Sequence, residues 1–263
     1  MDAPFKIHFR VDSSNLLDYC GGIFRAWWFE PFVATFSFTF AIHVYWYEER
    51  KRGLSRENRI LDTFFVYNVH TSDLWNSLGA YWIGICILKW IRMIYIESES
   101  PVVIPDGFPT DLDSCVYLIL EVVAGILMYD AIFFAIHWAM HAIPRLRGLH
   151  SRHHSDAASI VESNLDKDKI WDNNTSASLE ARDVLRHSIV DGSLQVLCNV
   201  LVQQLNPWPD GGRKSRLARV LHNAIVTWML TESHTVSPTP NIFRRFFVGV
   251  REHRYHHLSS TNF

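Results

Sequence analysis

Apolar runs alternate with charged ones along this chain, and their lengths set its first reading. Residues 31–47 (P-F-V-A-T-F-S-F-T-F-A-I-H-V-Y-W-Y) contain no Asp, Glu, Lys or Arg and are flanked by aromatics. That length just suffices for a helix to cross hydrocarbon. A second run, 79–96, is weakened by Lys89 and Arg92, which can snorkel from near the end of a span. A third, 115–134, carries Glu121 and Asp130, and ionisable residues within a span usually mark function. A last pair, 188–205 and 217–230, is joined by N-P-W-P-D-G-G-R-K-S-R. Its second member is short for a full crossing.

The loops assign sides. Arg50, Lys51, Arg52, Arg56 and Arg59 follow the first run, and a basic loop belongs on the cytosolic face. The acidic, Pro-rich loop after 96 fits the lumenal face. The polar stretch 155–187 reads as a cytosolic loop, so neither N-x-[ST] site, at Asn173 or Asn174, meets the glycosylation machinery. F-R-R-F-F at 243–247 resembles an amphipathic approach to the membrane surface. Residues 60–78 mix apolar and polar positions and read as a surface or soluble helix.

Composition changes this picture little. Nearly half the residues are hydrophobic, with 17 Phe, 10 Trp and 9 Tyr, and the net charge of −2 gives no basic footprint for nucleic acid. The four cysteines are scattered without a C-x-x-C, which argues against a disulfide framework or a thiolate site.

The candidate chemistry is histidine. Eight of the 14 histidines fall into three boxes: HxxxH at His137 and His141, HxxHH at His150, His153 and His154, and HxxHH at His253, His256 and His257. Spacings of three and four put the rings of each box on one helical face, and neutral imidazole suits iron, zinc and copper. One straight helix cannot join the first two boxes, because thirteen residues rise roughly 20 Å. The chain must turn between them, and Pro144 and Gly148 lie where it could break. Eight ligands exceed one tetrahedral zinc and suit two metals with open positions. Asp130, nearly two turns before His137, shares its face and is placed to orient that ring. His234 is a further candidate ligand. His43 and His70 read as packed or structural rings, His187 as a surface residue, and His222, inside the short apolar run, less as a ligand than His234.

This pattern resembles the membrane-bound fatty acid hydroxylase and sterol desaturase superfamily, whose members carry HxxxH, HxxHH and a late HxxHH around a non-haem dimetal centre. The closing H-H-L-S-S-T-N-F is similar to the family's ending, and Asp130 stands where the family often has an acidic residue. The likeness covers about 118–263 well and the first hundred residues only in character. Members usually continue past the equivalent of Phe263, which admits a truncated chain here.

The resemblance implies an all-α integral membrane protein of the endoplasmic reticulum. About four transmembrane helices in two hairpins would carry a cytosolic histidine-rich helical cap holding a dimetal site. An N-terminal region, 1–114, with the first hairpin would precede the hydroxylase-like domain, 115–263. The expected activity is O2-dependent oxidation of a fatty-acyl or sterol substrate by two iron ions. No C-x-x-C-H or G-x-G-x-x-G motif is present, so the electrons need a separate donor such as cytochrome b5 with its reductase. The boxes do not separate hydroxylation from desaturation or demethylation. A non-catalytic metal- or lipid-binding member of the same fold stays open. A metal transporter fits less well, because its ligands should line the membrane interior and these boxes flank the spans.

Overall fold

The computed structural model describes residues 21–52, 71–95, 106–148, 150, 181–185, 189–205 and 214–235. His70, His153, His154, His187, His253, His256 and His257 lie outside these, as do Asn173, Asn174 and the 243–247 segment; the side chains of Lys89 and Arg92 do too. Among the described residues every regular element is helical. The main elements are α1 (Phe29–Lys51), α2 (Thr71–Tyr95), α3 (Leu112–Ala142), a 3-10 turn (Ala181–Leu185), α4 (Ile189–Gln204) and α5 (Arg216–Glu232).

Local chemistry explains several boundaries. Asp111 caps α3 by accepting from the Ser114 amide at 2.8 Å, while Ser114 Oγ receives the Asp111 amide at 3.1 Å, a reciprocal capping box. α3 stops at Ala142 because Pro144 forces Ile143 out of the helical region, to φ −94° and ψ 116°. α2 starts eight residues before the expected run at 79, since its backbone hydrogen bonding continues through the polar segment read as a separate surface helix. The end of the expected loop 155–187 also differs: Ala181, Val184 and Leu185 are buried against Ile42, Tyr45 and Trp46 of α1. Glu49, itself buried, accepts the Ala181 amide at 3.1 Å and so caps that turn.

Side-chain pairs fix the helix directions. Glu30 at the start of α1 pairs with Arg219 in the first turn of α5, and Tyr45 near its end donates to Glu232 at 2.9 Å. α1 and α5 are therefore parallel. Glu121 in α3 meets Ser215 at 2.7 Å, just before α5, so α3 runs the same way. α2 and α4 run oppositely. Ser77 reaches the Leu185 carbonyl while Trp82 donates to Thr35, further from the Glu49 end. Asn199 of α4 meets Asn223, whereas Asp191 at its start reaches His150 beyond the end of α3.

The expected sequential hairpins are not the main contacts. α1 packs chiefly on α5, and α2 chiefly on α4. The regions 1–114 and 115–263 thus share a core. Small residues are among the buried positions, Ala34 and Ala41 on α1 and Ala218 on α5.

Polarity is arranged in reverse of the usual soluble pattern. Glu49, Asp191 and His222 are 0 % exposed, while Phe36 is 60 % and Leu127 59 % exposed. Phe32, Phe36 and Phe40, one turn apart, stack along the outside of α1. Among the described residues one helix, α3, is long and apolar enough to cross a membrane. Only 22 % of its most apolar stretch is buried, so it presents its hydrophobic side outward.

Candidate metal centre

The site is built by a turn. His137 and His141 project from the last turns of α3 on one face, and both are buried. Past Ile143 the chain makes a short helix from Pro144, where a missing N–H costs nothing. Arg147 folds back and donates to the His141 carbonyl from Nε at 3.1 Å and Nη2 at 2.8 Å. That contact satisfies a carbonyl at the end of α3 and closes the turn. It returns His150 to the first pair.

The three rings converge. Their centroids stand 5.1 Å (His137–His141), 4.7 Å (His137–His150) and 5.0 Å (His141–His150) apart. One ring nitrogen from each lies within 4.8 Å of the others, and all three residues are buried. Nitrogens bound to one ion at about 2 Å stand no more than about 4 Å apart. The residues therefore fit an ion after a small closure.

A fourth residue orients the third ring. His150 Nδ1 donates to Asp191 Oδ2 at 2.9 Å, and Asp191 is fully buried in the first turn of α4. Gln195 Nε2 donates to the other Asp191 oxygen at 3.1 Å. A proton fixed on Nδ1 makes Nε2 the lone-pair nitrogen, as in the carboxylate–histidine pairs behind metal ligands. The sequence reading passed over Asp191. The available signal was a carboxylate inside an apolar run, the same signal read at Glu121 and Asp130.

Asp191 does for His150 what was expected of Asp130 for His137. Asp130 is exposed while His137 is buried, because the packed stripe of α3 passes through Ile126 and Tyr129 and leaves Asp130 beside it. Seven residues also separate the two by about 10 Å along the axis. His234 is buried but stands outside the three-histidine group, with Nδ1 donating to the Leu230 carbonyl at 2.8 Å. His43 is a packed ring bonded to the Thr39 carbonyl at 2.7 Å. His222 is wholly buried in α5 away from the group.

An apolar pocket, partly open to the surroundings, lies among α1, α2, α3, α4 and α5. Phe38, Tyr81, Tyr129 and Val226 line it, with Gln195 and Asn199 among its few polar groups. Gln195 connects its wall to Asp191 and hence to His150.

No family model, curated protein or solved structure matches the chain.

Proposed function

We propose that this chain is a membrane-embedded, O2-dependent lipid oxidase, similar in kind to the histidine-box hydroxylases and desaturases. The observation that carries the reading is the buried convergence of His137, His141 and His150 with Asp191 behind it. The outward apolar faces of α1 and α3 support placement in a bilayer, with the histidine end on the cytosolic side of the endoplasmic reticulum by the charge rule.

These three residues would hold one ion; His153, His154, His234, His253, His256 and His257 are the candidates for completing a two-iron centre. When bound, the metal would supply O2 activation for oxidation of an unactivated C–H bond. The protein's own contributions are separable. Asp191 keeps the proton on His150 Nδ1 and fixes the ring. The apolar pocket would receive a hydrocarbon chain, with Gln195 of its wall linked through Asp191 to His150. Electrons come from a separate carrier, such as cytochrome b5 and its reductase.

Expression in a host followed by lipid mass spectrometry tests this. Oxidised lipid should depend on O2 and reductant and be absent from His141→Ala and His256→Ala, with membrane insertion retained. Oxidation that persists in either variant would overturn the assignment.

A further inference from the structure

Twelve residues before His137, about 18 Å back along α3, Gly125 faces α5. A Cβ at this position would stand 2.1 Å from Lys214 Nζ and 2.8 Å from His222 Nδ1. The glycine leaves a notch, and both nitrogens crowd into it. Lys214 is 1 % and His222 0 % exposed, and neither atom has a hydrogen-bond partner.

The polar groups around the notch are engaged elsewhere. Glu121 takes the Ser215 hydroxyl at 2.7 Å and its amide at 3.3 Å. Arg219 is paired with Glu30. Asn199 donates from Nδ2 to Asn223 Oδ1 at 2.8 Å, which turns its own oxygen toward His222 Nε2 at 3.1 Å. An acceptor facing Nε2 requires the proton there, so Nδ1 of the neutral ring carries the lone pair. One donor, the lysine, and one acceptor, the imidazole, therefore stand beside the same glycine.

We propose that Lys214 and His222 hold a single hydroxyl oxygen between them, accepting from Nζ and donating its own proton to Nδ1. A carboxylate or phosphate would set an oxygen lone pair against that of Nδ1. An alkyl group would leave two buried polar atoms unsatisfied. Two sources offer the required chemistry. One is a bound water. The other is the alcohol end of a lipid whose body lies in the neighbouring cavity, since Tyr129 and Asn199 line that cavity and both touch His222. The site is independent of the metal reading.

The test uses the full chain in detergent or nanodiscs, with thermal unfolding as the readout. Single and double variants of Lys214→Met and His222→Phe form a cycle. With a shared oxygen the two losses overlap, and the double variant melts several degrees above the value the single losses add up to. Without one, Lys214→Met removes an unpaired buried ammonium and raises the midpoint, or the losses simply add; either result overturns the proposal. Given a coupled cycle, hexadecanol or a sterol separates the sources. A rise in midpoint that is absent from Lys214→Met, and not produced by hexadecane, assigns a lipid alcohol; no rise assigns water. The cycle reads the same in a His141→Ala background, so its failure and failure of the metal assignment are distinct outcomes.

Discussion

At the histidine end of the bundle, Arg147 closes on the His141 carbonyl and Asp191 on His150, with Gln195 behind the carboxylate. At the opposite end Lys214 and His222 are just as buried, yet two of their nitrogens face each other across a glycine notch without protein partners. The first arrangement orients the His150 ring before anything binds. The second presents a donor and an acceptor that one hydroxyl oxygen would satisfy. Buried polar atoms carry a cost in both places. The protein meets it with its own side chains at one end and with a guest at the other.

The contrast is broken most severely from the histidine end. Asp191→Asn keeps the shape but removes the charge that holds the His150 proton. Metal affinity should fall roughly 10- to 100-fold, read by competition against a chelator, while unfolding in the metal-free state shifts little. Unchanged affinity would mean that the carboxylate does not tune the ring.

At the other end Ser215→Ala removes the cap that accepts the Ala218 amide at 3.3 Å and strips Glu121 of its hydroxyl partner. The expected loss is about 1–2 kcal/mol of stability, from denaturant or thermal unfolding. Metal affinity should stay unchanged, which confines the effect to that end.

The third test is a pH dependence. Burial lowers Lys214 from the usual 10.5 to about 8, aided by Arg219 and opposed by Glu121. Between those values the unfolded chain keeps a proton that the folded protein has shed. Stability therefore rises with pH through that window and is flat below it. Lys214→Met should remove the rise in a midpoint series from about pH 7 to about pH 10.5. A rise of equal size in the variant would assign it to other groups.

What could be read from the sequence is what depends on neighbours along the chain. The i,i+4 pair His137 and His141, the break at Pro144 and the return of His150 are local, and all three stand in the structure as expected. So does the long apolar helix leading into the first box. Asp191 escaped because it meets His150 from 41 residues away, and no spacing rule reaches that far. α5 shows a different limit. Its run at 217–230 looks apolar, yet Arg219, His222 and Asn223 are buried among its neighbours. Periodicity reports amphipathicity; it does not say which face a membrane protein turns inward. Asp130 shows the same limit, since its exposure is set by what packs on α3.

The up–down alternation of the five helices has a consequence for reach. α3 and α5 point the same way, so the chain leaves both of them at the histidine end. His153 is tethered three residues beyond His150 and can travel no more than about 10 Å from it. His253 lies eighteen residues beyond Thr235. The second box is thus confined to the neighbourhood of the first by chain length alone.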